Sequence, residues 1–312
     1  MRTLRTLGEL AAIERVTKRL PGGGGMVVGA GDDCAVVRPA PDAAEDWLLT
    51  SDPVVEGIHF AADALPADIG RKALGRVLSD IAAMGGIPRW GLVDLVMPSD
   101  LPVETLDGLY DGIIEMATAH AFTIAGGDMS AGPVLELHVF GVGAVPAGAA
   151  VQRGGAQPGD LLFVTGELGG RARPRDFRIA PRVREGQWLR GRVTAMIDIS
   201  DGLAADARHL AAAGGVGCDL NAAAIPVSAA ARGAEDGVPP LDHALHDGED
   251  FELLFTIPEA GEAAFTAAWT SAFALPCTRI GIVTTHRELL RCVLPDGETL
   301  ALEGGGFSHF TA

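Results

Sequence analysis

Acidic residues recur at the ends of apolar segments along this chain, and this recurrence constrains the fold more than any other feature. The run from Gly31 to Cys34 precedes the apolar triplet 35–37, and a second apolar run, 47–49, leads into Asp52. The same arrangement recurs at Leu78-Ser79-Asp80, Gly126-Gly127-Asp128, Asp198-Ile199-Ser200-Asp201 and Gly248-Glu249-Asp250. Carboxylates gathered within a few ångströms repel one another unless a cation lies between them. The pattern therefore predicts that these acids converge on bound divalent metal and phosphate.

The composition predicts a well-cored globular protein of two domains. The chain has 312 residues, of which 48% are hydrophobic, so it is too apolar for disorder and long enough for two domains. The net charge of −17 argues against nucleic acid as a partner but allows a nucleotide bound through metal ions. Only Lys18 and Lys72 among the 24 basic residues are lysines, so positive charge for phosphate must come from Mg²⁺ and a few arginines. The bias towards arginine can equally reflect genome composition.

The cysteines and the apolar runs predict a cytoplasmic protein without a membrane span. The four cysteines are widely spaced and form no CxxC pair, which favours neither zinc nor a disulfide framework. The first 20 residues mix arginine and glutamate with apolar residues and lack the apolar core of a signal peptide. No run of 18 apolar residues occurs.

Strands alternate with helices in both halves, so the sequence predicts an α/β or α+β fold. Helices are predicted at 7–20, 68–84, 103–121, 202–212 and 259–271, and strands at 90–97, 135–145, 161–165, 195–199, 251–257, 278–283 and 289–293. The segment 167–187 is short, rich in arginine and irregular, and we expect a surface connection there. The small residues of 146–153 mark the best boundary, giving domains 1–148 and 149–312.

The sequence lacks the glycine motifs of the common nucleotide-binding folds. Neither lysine is preceded by the glycine that GxxxxGK[ST] requires, and no GxGxxG opens a helix after a strand. No GxSxG elbow of a hydrolase occurs either. A lone histidine is usually structural, but His59 gains weight from its place close to Asp52.

Six motifs occur in a fixed order: Gly31-Asp32-Asp33-Cys34-Ala35, Thr50-Ser51-Asp52 with His59-Phe60, the run from Leu78 to Gly85, Gly126-Gly127-Asp128, the run from Ile199 to Leu203 and the run from Gly248 to Leu253. Together they closely resemble the thiamine-monophosphate kinases, of the superfamily that includes aminoimidazole ribonucleotide synthetase. The resemblance covers almost the whole chain, from about Glu9 to Phe310. One GDD motif would be a weak signal, whereas six motifs in order are highly specific.

The resemblance implies a two-domain enzyme that uses ATP and several Mg²⁺ ions to phosphorylate thiamine monophosphate to thiamine diphosphate. The implied metal ligands are Asp33, Thr50, Ser51, Asp52, Asp80, Asp128, Asp198 and Asp201. The implied ATP contacts are Gly127, Asp128, Arg153, Ser200 and Tyr110, and the implied contacts to the thiamine substrate are His59, Glu249 and Phe307. Asp52, Asp128 and Asp201 are expected to be the most critical. The N-terminal sheets are expected to pair into a homodimer.

Each position also has a purely structural explanation. Asp32 and Asp33 could simply cap a turn, Asp80 could be a solvated helix residue, Arg153 a surface charge and Phe307 a core residue. Among related enzymes, a selenophosphate synthetase would be expected to carry a reactive cysteine near its N-terminus, and a hydrogenase-maturation relative a C-terminal cysteine. A non-catalytic regulator that binds nucleotide or Mg²⁺ is the alternative from another class. An assay for thiamine diphosphate formation separates the regulator from the enzyme.

The residue types suit transfer between two phosphates. Divalent ions held by carboxylates offset the repulsion between donor and acceptor. The second pKa of a phosphate monoester is about 6, so the acceptor oxygen is mostly deprotonated at neutral pH and needs no general base. The sequence offers no convincing Ser-His or Cys-His pair, in agreement with direct in-line transfer. Thr50-Ser51 reverses the more usual Ser-Thr order, and either hydroxyl can ligate Mg²⁺.

Overall fold

Two β-sheets, one from each half of the chain, form the framework of the computed structural model, which describes residues 3–21, 23–170, 179–287 and 289–302. The strands of the first sheet are β1 (Met26–Val28), β2 (Ala35–Val37), β3 (Glu45–Val55), β4 (Ile87–Met97), β5 (Thr123–Ala131) and β6 (Glu136–Pro146). They lie in the order β1-β2-β3-β6-β4-β5, and neighbours are antiparallel except for the parallel pair β4–β5. The helices of this half are α1 (Leu4–Leu7), α2 (Glu9–Thr17), α3 (Pro66–Ala83) and α4 (Val103–Ala119).

Helix α3 is the buried centre of the first half. Pro66 stands in its first turn, where a missing N–H costs nothing, and Leu74, Leu78 and Ile81 are fully buried at helical spacing. The helix packs closely on α4, because a Cβ added to Gly112 would lie 1.8 Å from the carbonyl oxygen of Ala67. This packing fixes the rotation of α3 and hence the direction of its polar residues.

The second half forms a seven-stranded sheet. Its strands are β7 (Leu161–Thr165), β8 (Ala195–Asp198), β9 (Gly217–Asn221), β10 (Leu253–Ile257), β11 (Cys277–Thr284), β12 (Leu290–Val293) and β13 (Thr299–Ala301), in the order β13-β12-β9-β11-β7-β10-β8. Its helices are α5 (Val183–Leu189), α6 (Leu203–Gly214), α7 (Ala229–Arg232), α8 (Pro240–His246) and α9 (Glu262–Ala272). Strand β8 lies at the edge of the sheet and pairs with β10, so its last residue, Asp198, is free to face the first half.

The predicted mixture of helices and strands is confirmed, with two local differences. The predicted helix 7–20 is interrupted at Gly8, whose φ of 81° suits glycine, so that α2 spans only Glu9–Thr17. The predicted irregular connection 167–187 is wrong over its last part, because Val183 begins helix α5. This short helix is held by packing rather than by its own periodicity: a Cβ on Gly186 would lie 2.1 Å from the carbonyl oxygen of Ala82 on α3.

No helix in the parts of the chain that the structure describes combines the length and apolarity needed to cross a membrane.

Candidate active site

Three carboxylates from distant parts of the sequence meet in one buried cluster. Asp33 lies in the loop before β2, Asp80 on α3 and Asp198 at the end of β8, and each offers an oxygen within 4.8 Å of the others. We call this set the central cluster. The hydroxyl of Thr50 donates to Oδ2 of Asp80 at 2.5 Å, and that of Ser79 donates to Oδ2 of Asp198 at 2.5 Å. The second of these bonds joins α3 of the first half directly to β8 of the second.

Burial makes the central cluster costly in its fully charged form. Burial raises the pKa of Asp33 to about 8, opposed by Arg153 and reinforced by Asp198 and Asp32. Burial also raises the pKa of Asp198 to about 6 and that of Asp80 well above its usual range. Near neutral pH the cluster therefore holds protons unless a cation replaces them.

The donor set of the central cluster fits a hard divalent cation. Carboxylate and hydroxyl oxygens are the ligands that Mg²⁺ prefers. Oδ2 of Asp33 is buried and has no hydrogen-bond partner among the residues described. A buried oxygen without a partner is destabilising on its own, and a metal ion at this point would satisfy it.

Two arginines lie next to the central cluster. Nη2 of Arg153 donates to Oδ1 of Asp33 at 2.6 Å, and its backbone N–H donates to Asp32 at 3.2 Å. Arg76 on α3 forms a bidentate pair with Asp52 on β3, with distances of 2.7 and 2.9 Å. The charge of Asp52 raises the pKa values of Asp80 and Asp198, so Asp52 lies close to the central cluster although Arg76 neutralises it.

A second group of charges joins the two halves beside the central cluster. Glu249 accepts hydrogen bonds from Nζ of Lys72 at 2.6 Å and from Nη1 of Arg76 at 3.2 Å. Together with Asp52, these residues form a chain of alternating charges that we call the seam cluster. Lys72 also donates to the backbone oxygen of His59 at 2.6 Å. The pairing of Glu249 with two cations was not predicted from the sequence.

The side chain of His59 is held in one orientation. Its Nδ1 accepts from the backbone N–H of Val55 at 3.0 Å, so a neutral ring carries its proton on Nε2. The ring is buried, with 6% exposed. Lys72 thus links His59 to Glu249, because its Nζ bonds both the backbone oxygen of His59 and the carboxylate of Glu249.

Hydrogen bonds between two turns of the second half hold Glu249 in position. The backbone N–H of Glu249 donates to the oxygen of Ser200 at 2.7 Å, and that of Phe251 donates to the oxygen of Ile199 at 2.8 Å. Glu249 and Phe251 both have left-handed backbone, with φ of 65° and 51°, a conformation that costs non-glycine residues energy. The hydrogen bonds to the neighbouring turn hold the segment in this shape.

Asp206 positions the turn that carries Ser200 and Asp201. Its Oδ2 accepts the backbone N–H groups of both residues, at 3.1 and 3.0 Å. Asp201, Asp206 and His209 each offer an atom within 4.8 Å of the others. Asp206 was not among the residues predicted from the sequence, although an acidic residue in the first turn of a predicted helix can reach back to backbone N–H groups before the helix.

Other residues predicted for the site lie outside these two clusters. Asp128 is exposed on the edge strand β5, opposite Asp94 of β4. Ser51 is exposed, and strand alternation turns its side chain to the face opposite Thr50, so the structure does not bring its hydroxyl into the central cluster. Tyr110 on α4 packs against the core of the first half. Phe307 lies outside the described residues.

Strand and helix geometry explains Gly127 and the missed basic residues. A Cβ on Gly127 would lie 1.8 Å from the carbonyl oxygen of Val93, so only glycine fits where β5 meets β4. Lys72 and Arg76 were missed, although a spacing of four residues puts them on the same helical face as Asp80.

Comparison with known families assigns the class of this fold and site. The family described as AIR synthase related protein matches with its N-terminal domain over residues 31–145 and with its C-terminal domain over residues 178–290. The first match contains β2 to β5 and nearly all of β6, and the second contains β8 to β11, so the class is that of the AIR synthase related proteins.

Relatives within that class identify the family. A thiamine-monophosphate kinase of Escherichia coli (strain K12) is 35% identical over 307 residues, covering 91% of this chain and 92% of that protein. A solved structure, AaThiL complexed with AMPPCP and TMP, has a TM-score of 0.85 at 31% identity and covers 99% of both chains. The hydrogenase maturation protein HypE of E. coli, at 24% identity and a TM-score of 0.71, covers 82% of this chain and 85% of its own and shares the fold alone. This chain therefore belongs to the thiamine-monophosphate kinase family and is a kinase.

Proposed function

We propose that this protein transfers the γ-phosphoryl group of ATP to the phosphate of thiamine monophosphate, the last step in making thiamine diphosphate. The observation that carries the proposal is the central cluster of three largely buried carboxylates, flanked by Arg76 and Arg153. One oxygen of Asp33 has no hydrogen-bond partner in the parts of the chain that the structure describes. The similar AaThiL structure is described as a complex with AMPPCP and TMP, a pair of ligands that matches this reaction.

The central cluster and its neighbours would hold several Mg²⁺ ions. The proposed ligands are Asp33, Thr50, Ser51, Asp52, Asp80, Asp128, Asp198 and Asp201, with Ser51 limited to its backbone oxygen by the direction of its side chain. Bound Mg²⁺ would supply the positive charge that offsets the repulsion between the two phosphates. The buried carboxylates fix where that charge lies, and the hydroxyls of Thr50 and Ser79 orient them.

The phosphoryl transfer is proposed to be direct. An oxygen of the acceptor phosphate forms a bond to the γ-phosphorus, the bond to the β,γ-bridging oxygen breaks, and ADP leaves. No residue is assigned as general base, because the acceptor oxygen is mostly deprotonated at neutral pH. Proposed ATP contacts are Gly127, Asp128, Arg153, Ser200 and Tyr110, and proposed contacts to the thiamine group are His59, Glu249 and Phe307.

We further propose a homodimer formed through the first sheet. Large apolar side chains are exposed on its outer face, namely Trp47, Trp90, Leu92 and Phe140, with Met129 on the edge strand. Exposed apolar area of this kind is typical of a protein interface. Light scattering should give twice the monomer mass for the wild type, and Leu92→Glu should shift the protein to the monomer. A monomeric wild type would contradict this arrangement.

Two further assignments rest on the same proposal. We place the domain boundary between residues 148 and 149, in the link between β6 and β7. We propose a cytoplasmic location, in keeping with four cysteines that form no disulfide.

The test of the function is an assay with ATP, thiamine monophosphate and Mg²⁺ that follows thiamine diphosphate. Formation of thiamine diphosphate at a rate that depends on Mg²⁺ is the expected result. Binding of both substrates without turnover would instead support a non-catalytic regulator.

A further inference from the structure

The guanidinium of Arg76 lies between a carboxylate proposed to face metal and one proposed to face the acceptor. Its Nε and Nη2 bond both oxygens of Asp52 on β3, and its Nη1 bonds Oε1 of Glu249 in the second half. The side chain also stacks on Phe251, with its central carbon 5.7 Å from the ring centre. Arg76 therefore stands where the two halves meet, between Asp52 and Glu249.

The position of Arg76 follows from helix periodicity. Lys72, Arg76 and Asp80 are four residues apart on α3, so they share one face and are spaced by about 6 Å along the helix. Lys72 reaches Glu249 at one end of this row, and Asp80 belongs to the central cluster at the other. An acceptor whose ring lies at Glu249 and whose phosphate points to the central cluster must pass Arg76.

Arg76 retains donors for a further ligand. A guanidinium carries five N–H groups, and the bonds to Asp52 and Glu249 use three of them. The remaining two have no hydrogen-bond partner within the described ranges. The side chain is 13% exposed, whereas Lys72 is 1% exposed. Two parallel donors of a guanidinium match two oxygens of a phosphate.

Arg153, the other arginine of the site, pairs with different carboxylates. Arg153 pairs with Asp33 and Asp32, which belong to the loop before β2 and not to the seam cluster. Arg76 is thus the arginine of the site that touches Glu249.

We propose that Arg76 binds the phosphate of the acceptor and so selects a phosphorylated acceptor over one without phosphate. This inference rests on the function proposed above and deepens it. Asp52 and Glu249 hold the guanidinium in place before the acceptor binds, so little side-chain entropy is lost on binding.

The test compares the affinities of thiamine monophosphate and of thiamine for the wild type, Arg76→Met and Arg76→Lys, measured by calorimetry. In Arg76→Met the preference for thiamine monophosphate over thiamine should fall by about tenfold to a hundredfold, the range for lost charge-assisted hydrogen bonds. Arg76→Lys keeps the positive charge but not the two parallel N–H donors, and its preference for thiamine monophosphate should fall less. Affinity for thiamine itself should change little.

Arg71→Met is the matched control, because Arg71 lies on the same helix but pairs with Asp68 and Glu115. Its preference should equal that of the wild type. Should Arg76→Met fail to fold by circular dichroism, Arg76→Gln keeps hydrogen-bond donors without charge, and a preserved preference there would overturn the proposal.

Two other results would also overturn it. An equal loss of affinity for both ligands would assign Arg76 to holding Glu249 in place, and unchanged affinities for both ligands would remove any role in recognition. If the wild type forms thiamine diphosphate but the Arg76 variants keep the wild-type ratio of affinities for thiamine monophosphate and thiamine, this inference alone is contradicted. A wild type that forms no thiamine diphosphate overturns the proposed function and this inference together.

Discussion

The central cluster and the seam cluster are neighbours that handle negative charge in opposite ways. In the central cluster, Asp80 and Asp198 accept bonds from neutral hydroxyls, and Asp33 keeps one buried oxygen without a partner in the described structure. In the seam cluster, Asp52 and Glu249 are each paired with a basic side chain. Arg153 pairs with Asp33 alone of these three carboxylates within the described structure, so we expect the first region to need a cation from outside the chain, whereas the second contains its own counter-charges. Chemistry that needs exchangeable metal suits the first region, and recognition that needs fixed charge suits the second, with Asp52 adjoining both.

The largest expected effect comes from breaking the central cluster. Asp80→Asn should lower turnover by at least about a hundredfold, because preorganised charge at the reacting groups is lost. Without Mg²⁺ the same variant should melt at a higher temperature than the wild type, because one repelling buried carboxylate is gone. The measurements are thiamine diphosphate formation and a melting curve in chelator.

Asp107→Asn, on the exposed face of α4, is the control for Asp80→Asn and should alter neither quantity. Near-normal turnover of Asp80→Asn would contradict the metal-binding role of the cluster.

The pH dependence of stability should distinguish the two regions. The pKa values of Asp33 and Asp198 in the folded protein, about 8 and about 6, lie above the usual value of 3.8, so the folded state binds more protons than the unfolded state. Without metal, the contribution of these two groups to the free energy of unfolding should therefore be largest near pH 4 and fall as pH rises, towards 6 for Asp198 and towards 8 for Asp33, by about 1.4 kcal/mol per pH unit for each such proton.

Mg²⁺ should remove much of that decline, because it replaces the protons at the cluster. Urea denaturation between pH 5 and 8, in chelator and in Mg²⁺, measures both effects. A stability that rises with pH in chelator would show that these carboxyls are not protonated in the fold.

The seam cluster is broken by Lys72→Met. Of its two basic partners in the described structure, Glu249 would keep Arg76. The Michaelis constant for the thiamine substrate should therefore rise about tenfold, as expected when a charge-assisted hydrogen bond is lost, with a smaller change in maximal rate. Lys18→Met removes the only other lysine, which pairs with Glu14 on the surface, and should behave as wild type. Equal kinetics in the two variants would show that the buried lysine plays no part in recognition.

The smallest effect separates the two adjacent hydroxyls at the edge of the central cluster. Thr50→Val removes the donor to Asp80 and should lower turnover several-fold, with a stability loss of about 1 kcal/mol. Ser51→Ala should change little, because that side chain is exposed on the other face of β3. Turnover at saturating substrates gives the comparison, and a larger loss in Ser51→Ala would reverse our assignment of the two faces.

The acidic motifs predicted part of this site because their spacing reflects the framework. Asp33, Asp80 and Asp198 end or flank apolar elements, and sheets and helices bring such ends together. The seam cluster was not predicted, because the pairing of Lys72 and Arg76 with Glu249 joins residues more than 170 positions apart. The seam cluster depends on the rotation of α3, which is fixed by close packing at Gly112. No local sequence pattern indicates that rotation. Helix α5 was missed for the same reason, since contacts with α3 hold it.

The bonds from α3 to the second half have a consequence for dividing this protein. Ser79, Lys72 and Arg76 all reach across to Asp198 or Glu249 from a single helix. If the chain were cut at the link between its sheets, each fragment would contain charged side chains whose partners lie on the other fragment. Complementation by separately produced fragments should therefore require both to be present while they fold.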